Sequence, residues 1–189
     1  GELGATGLLT EQSELAPRTP YAASKAGADL MAAAYYETYG LPIAITRSSS
    51  NFGPFHFPEK LIPLVIERCR ARQHVPMYGD GHQVRDWLYV EDHCSALDVV
   101  LERGLPGQVY NIGGGRSSNC SMLEAIESSE RIAGRELDWT MSEDNRIGDH
   151  RWWISDLAPF MEDYPGWSQR YGIEEILTEI YEYNVAEAA

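Results

Sequence analysis

The stretch TPYAASKAGADLMAAAYYETYGLPIAIT, residues 19–46, decides how this chain folds. Thr19 is a helix-capping residue, and Pro20 suits the first helical position, where no N–H is needed. Ala22, Ala23, Ala26, Ala28 and Ala32 to Ala34 favour helix strongly. Gly40 followed by Pro42 stops such a helix through a left-handed cap. Next, Leu41-Pro42-Ile43-Ala44-Ile45-Thr46 is a short apolar, β-rich run, read as a buried strand. A capped helix feeding a buried strand is half of an α/β unit.

Within that helix Tyr21 and Lys25 stand four residues apart, so phenol and ammonium project from one face. A free tyrosine titrates near 10, too high for a base at neutral pH. A neighbouring cation favours the phenolate and turns the tyrosine into a usable general acid or base. The chain has 11 tyrosines, whereas Lys25 and Lys60 are its lysines. On spacing alone, a surface tyrosine beside a solvating lysine is an equal reading.

Further residues carry a resemblance. The Tyr-x-x-x-Lys helix, the strand after it and Ser50-Asn51-Phe52-Gly53-Pro54 resemble the extended short-chain dehydrogenase/reductase family, in particular its sugar-nucleotide epimerases and dehydratases. Residues 51–63 and 78–92 are similar, without gaps, to the dTDP-glucose 4,6-dehydratase branch. Residues 119–126, 145–150 and 154–157 are more similar to the CDP-paratose 2-epimerase branch. Ser50 also stands where dehydratases carry an Asn that contacts the nucleotide phosphate, and an Arg-Pro-Gly-His motif usual in dehydratases is not present near residue 146.

The resemblance implies an α/β fold: the C-terminal part of a Rossmann-type NAD(P)-binding fold interleaved with a small substrate-binding domain. Residues 1–54 would be the Rossmann part and 55–189 mainly the substrate domain, with elements around 85–105 returning to the first. It also implies NAD as cofactor and a nucleotide-sugar as substrate, processed through a transient keto-sugar by a homodimeric enzyme. Tyr21 and Lys25 would be catalytic, and with Ser48 and Asn51 would bind the cofactor. Ser50, Lys60, Leu61, Pro76, Tyr78, Arg85, Asn119 and Arg146 would bind the substrate. The arginines would grip its diphosphate, since guanidinium forms bidentate hydrogen bonds with such groups. A dehydratase-like reaction is the first expectation, an epimerase-like one the alternative. An inactive binding fragment is the alternative of another class.

The chain begins at Gly1, and no Gly-x-Gly-x-x-Gly loop follows a strand near the start. The resemblance puts that loop upstream, together with an Asp-Glu pair used in water elimination, so the chain is expected to be the C-terminal half of a larger enzyme. Gly113-Gly114-Gly115 is read as a turn before a helix rather than a dinucleotide loop.

Composition agrees with a soluble α/β protein. With 189 residues, 43% hydrophobic and 23% charged, the chain can bury a core. A net charge of −14 gives no basic field for a nucleic-acid polymer. No apolar run approaches the ~18 residues that span a bilayer. Cys69, Cys94 and Cys120 lack metal-ligand spacing and read as reduced thiols of a cytoplasmic protein. Cys94 is expected to be buried beside a helix-capping His93. Trp152, Trp153, Tyr164 and Trp167 read as core, residues 174–184 as a terminal amphipathic helix, and residues 102–107 as a helix-to-strand loop.

Overall fold

The computed structural model describes residues 7–57, 59–142 and 150–187, with the backbone alone at 76, 78, 141, 142 and 187. Helix α1 (Pro20–Tyr39) forms as its termini dictate. Thr19 Oγ1 accepts the Ala22 N–H at 3.1 Å. Gly40 closes the other end with φ 64°, its N–H donating to the Tyr36 carbonyl. Ala22, Ala26, Asp29, Ala33 and Tyr36 recur at helical spacing and are half-buried. Leu30, Met31, Tyr35 and Tyr39 are exposed, and no residue of α1 is buried.

The strand after it starts later than the apolar run implies. Strand β1 is Ile45–Ser48 and half-buried rather than buried, and Leu41 is exposed. Pro42 has no N–H to give to a ladder, and the Ile43 N–H folds back onto the Leu41 carbonyl at 2.8 Å. Only from Ile45 does the backbone pair, in parallel, with β5 (Val109–Ile112). The chain runs on through Ser49, whose N–H still bonds the Ile112 carbonyl at 2.9 Å. It then becomes β2 (Ser50–Phe52), which pairs in parallel with β4 (Val84–Tyr89), Ser50 opposite Trp87. One extended stretch therefore serves two sheets and changes partner at Ser49.

Strand β4 also carries β6 (Asn119–Ser121) antiparallel and β8 (Trp152–Trp153) parallel. Strands β3 (Val75–Tyr78) and β7 (Trp139–Ser142) form a separate parallel pair. Helices α2 (Leu61–Ala71), α4 (Met122–Ala133) and α6 (Ile173–Glu187) cover one face, burying Ile62, Ile66, Ala125, Ile176, Leu177 and Ile180 against Phe52, Trp87, Tyr89 and Cys120. Helices α3 (Val90–Arg103) and α5 (Ala158–Asp163) enclose a second core of Leu88, Ala96, Val100, Tyr110, Ile112, Phe160, Tyr164 and Trp167. A smaller third core lies between β3, α2 and α4.

The α/β class holds, and so does the terminal helix, whereas the expected 102–107 loop starts only at Gly104, because Glu102 and Arg103 are the last residues of α3. Two further expectations fail. Cys94 is exposed, and the backbone rather than His93 starts α3, while Cys69 and Cys120 are the buried thiols. Of the four C-terminal aromatics, Tyr164 and Trp167 are buried, whereas Trp152 and Trp153 are half-exposed because β8 covers only the end of β4.

Candidate active site

Tyr21, Lys25 and Asp29 follow one another turn by turn on one face of α1. Tyr21 is 75% exposed and Lys25 is exposed. Asp29 leans onto β1, where Arg47 takes both of its oxygens: Nε at 2.6 Å and Nη2 at 2.9 Å. The third arm of the same guanidinium, Nη1, donates to the Glu11 carbonyl at 2.7 Å. Glu11 in turn accepts the Asn111 N–H of β5 at 2.8 Å through its carboxylate. Helix α1 is thus fixed to β1 by charged hydrogen bonds, which are roughly twice as strong as neutral ones.

Strands β1 and β5 are parallel, so their carboxyl ends lie together at Ser48 and Ile112. Ligands in open α/β sheets sit in the crevice outside such ends. Ser48 is exposed there, and Ser49, Ser50 and Asn51 lead away from it. Asn51 Oδ1 is buried and has no hydrogen-bond partner.

The register of β2 on β4 sets Ser50 on the same face as Trp87 and hence as Arg85, two residues earlier. Asn51, opposite Leu88, and Asn119, opposite Asp86, fall on the other face. The structure therefore groups Ser50 with Arg85 and separates both from Asn119. Half-buried Arg85 donates from Nη1 to the Val84 carbonyl at 2.8 Å. Asn119 spends its side-chain N–H groups on the Gly115 and Arg116 carbonyls, at 3.1 and 3.0 Å. It also lines a cavity of about 510 Å³ with Cys120, Glu124, Glu127, Ser128 and Arg131.

Lys60 is the residue before α2, exposed, and makes no side-chain cap bond there. The Leu61 side chain packs against two of the cores, so what Leu61 offers outward is backbone. Its N–H belongs to the helix start, where donors lack intrahelical partners. Pro76 and Tyr78 lie in β3 beside β7. Arg146 lies outside the described residues.

Sequence reasoning missed a buried centre behind these residues. Asp86 is fully buried, and its Oδ2 accepts the Ser155 N–H at 3.0 Å and the Gly115 N–H at 3.2 Å. Its Oδ1 has no partner, nor has Ser49 Oγ. Burial pushes the Asp86 carboxyl up, partly offset by the hydrogen bonds from Ser155 and Gly115. The glycine turn closes over it. A Cβ on Gly113 would lie 2.5 Å from Asp86 Oδ2 and 2.7 Å from Ser49 Oγ. On Gly114 it would lie 2.3 Å from two backbone carbonyl oxygens, those of Trp87 and Ser118. These glycines exist for close packing on β4, and a strand (β6) intervenes before the next helix. His56 was missed too. It stands edge-on to Phe52, and burial first, then the Lys60 charge, lowers its pKa. No motif announced Arg47, Asp29 or Glu11, whose meeting is nonlocal.

This fold, with an exposed Tyr–Lys pair beside the carboxyl ends of parallel strands, defines a class. The NAD dependent epimerase/dehydratase family profile matches residues 2–113, and the chain belongs to that family. Among individual relatives, dTDP-glucose 4,6-dehydratase of Xanthomonas campestris pv. campestris is 41% identical over 191 residues, covering 97% of this chain and 54% of that protein. The same-named enzyme of Escherichia coli is 43% identical over 167 residues, covering 88% and 44%. The crystal structure of dTDP-glucose 4,6-dehydratase from Bacillus anthracis in complex with NAD superposes with a TM-score of 0.89 at 40% identity, over 98% of this chain and 58% of that one. UDP-glucuronic acid 4-epimerase from Bacillus cereus shares the fold, with a TM-score of 0.90 at 24% identity over 100% and 59%. The chain spans about half the length of the curated relatives it matches.

Proposed function

We propose that this chain is the C-terminal portion of an NAD-dependent nucleotide-sugar 4,6-dehydratase acting in the cytoplasm. Residues 1–54 would complete its cofactor domain and 55–189 would form mainly its substrate domain. The observation that carries the reading is the exposed Tyr21–Lys25 pair on α1, clamped beside the carboxyl ends of β1 and β5. Relatives about 40% identical, one of them crystallised with NAD, support it.

The residues present fit the nicotinamide end of NAD. Lys25 on α1 and Ser48 at the end of β1 are exposed donors, and Asn51 brings a buried oxygen that lacks a partner. Tyr21, Lys25, Ser48 and Asn51 would hold that end of the cofactor, while its pyrophosphate needs residues beyond these. When bound, NAD supplies a hydride acceptor and later a donor. Tyr21 removes the proton of a sugar hydroxyl, and the Lys25 ammonium favours the phenolate that does so. The oxidised sugar has an acidified C–H next to its new carbonyl, which permits elimination of water.

On the substrate side, Arg85 and Ser50 share a face and suit a diphosphate. Lys60 and the Leu61 N–H at the start of α2 would make a second anion site. Pro76 and Tyr78 would border the base and Arg146 would add to the grip, while Asn119, on the other face of the sheet, would act apart from Arg85 and Ser50. A nucleotide-sugar epimerase is the second reading, favoured by Ser50 and by the 119–126 segment. The exposed apolar stripe of α1 supports a homodimer.

The test uses the complete enzyme and Tyr21→Phe. Removal of a positioned proton-transfer group lowers rate by about 10²–10⁴, so turnover falls by that order while nucleotide-sugar binding persists. Turnover equal to the parent overturns the assignment.

A further inference from the structure

We infer that Arg47 is a positioning residue that keeps the Asp29 carboxylate away from Lys25 while holding α1 on β1. The inference rests on the proposed role of Tyr21 and Lys25. Lys25 and Asp29 are four residues apart on one helix face, a spacing at which opposite charges pair. Left free, Asp29 would face Lys25 on one side as Tyr21 does on the other. An ammonium shared with a carboxylate no longer stabilises a phenolate as well. Arg47 removes that competition, because Nε and Nη2 occupy both Asp29 oxygens at 2.6 and 2.9 Å.

The geometry of the pair is built for this. A planar guanidinium matches a carboxylate bidentately, which an ammonium does not. The side chains are 24% and 14% exposed, so solvent screens the pair only partly. The hydrogen bonds it donates to Asp29 foremost raise the Arg47 pKa, so the guanidinium is charged at every working pH. Nη1 bonds the Glu11 carbonyl at 2.7 Å and leaves that guanidinium no freedom to swing out. The charged groups facing this cluster are Glu11 from the preceding segment, Arg47 from β1, and Lys25 and Asp29 from α1 itself. Glu11 is engaged through Oε1, which accepts the Asn111 N–H at 2.8 Å, while its buried Oε2 has no hydrogen-bond partner. Arg18, three residues before Tyr21, adds a cation at the head of the helix.

The experiment measures the ionisation of Tyr21 in the complete enzyme. One readout is the pH profile of kcat. The other is tyrosinate absorbance, taken as the difference between each protein and its Tyr21→Phe counterpart. Arg47→Met releases Asp29, which then pairs with Lys25, so the phenol ionises later. The acidic limb of kcat and the absorbance midpoint both move up by about half to one pH unit. Arg47→Met/Asp29→Asn removes the competing carboxylate and returns both midpoints to the parent values. Arg47→Lys, which can make only a single-point contact, gives a smaller upward shift and serves if the Met variant does not fold. An unchanged midpoint in Arg47→Met or Arg47→Lys overturns the inference. So does a shift that the Asp29→Asn partner fails to reverse, since that is the mark of a merely structural bond. Failure of the proposed function shows separately: the kcat profile is then lost or indifferent to Tyr21→Phe, while the absorbance difference still reports on Arg47.

Discussion

Arg85 and Asp86 are neighbours on one strand whose side chains answer to opposite demands. Arg85 is half-buried on the face shared with Ser50, where a diphosphate can accept from it. Arg85→Ala is expected to weaken nucleotide-sugar binding in the complete enzyme by about 1.5–3 kcal/mol, the range for a hydrogen bond to a charged group. Calorimetry checks it, and the loss should shrink at high salt. Asp86 points the other way, into a fully buried position with one oxygen unpartnered. Its folded pKa is raised by burial, so between its unfolded and folded values the folded state binds more protons. Stability from this group is therefore present below the ordinary carboxylate range and lost as pH rises through the folded pKa. Asp86→Asn is expected to flatten that segment of the stability–pH curve, read by urea unfolding at several pH values. A parallel decline in parent and variant would clear Asp86 of the effect.

At the scale of elements, the glycine turn between β5 and β6 is the tightest joint. A side chain on Gly114 meets the backbone of Trp87 and Ser118, and backbone cannot rotate aside. Gly114→Ala is expected to destabilise by at least about 3 kcal/mol, the upper range for overpacking, measured as a fall in denaturation midpoint. Elements with local signals were legible beforehand. The caps of α1 and the spacing of Ile176, Leu177 and Ile180 in α6 follow from neighbours in sequence. Strands β6 and β8 were not legible, because three and two residues show no period. The first residues of the Leu41–Thr46 run misled because composition marks apolarity, while Pro42 decides where a ladder starts. The same division holds for the site. Tyr21 and Lys25 are one turn apart and visible in sequence, whereas Asp29 with Arg47, and Asp86 with Gly115 and Ser155, meet only through the fold.

For the whole molecule, the accessible surface is 11101 Å² at 21.2 kDa, against about 9,100 Å² from the size scaling of compact monomers. Helix α1, with Leu30 and Met31 more than half exposed, contributes visibly to that excess. Residues 1–189 expressed by themselves are expected to bind an apolar dye and to associate, and to bind NAD weakly, since no described turn offers a dinucleotide loop. Calorimetry with NAD and dye fluorescence check this; a dye-negative monomer with tight NAD binding would refute it. The partner change at Ser49 bears on accuracy of assembly. A one-residue slip turns every side chain of a strand to the wrong face. Because Ile45–Phe52 is read by β5 at one end and by β4 at the other, a slip tolerated by one sheet is rejected by the other. The two sheets together proofread the register of a single strand.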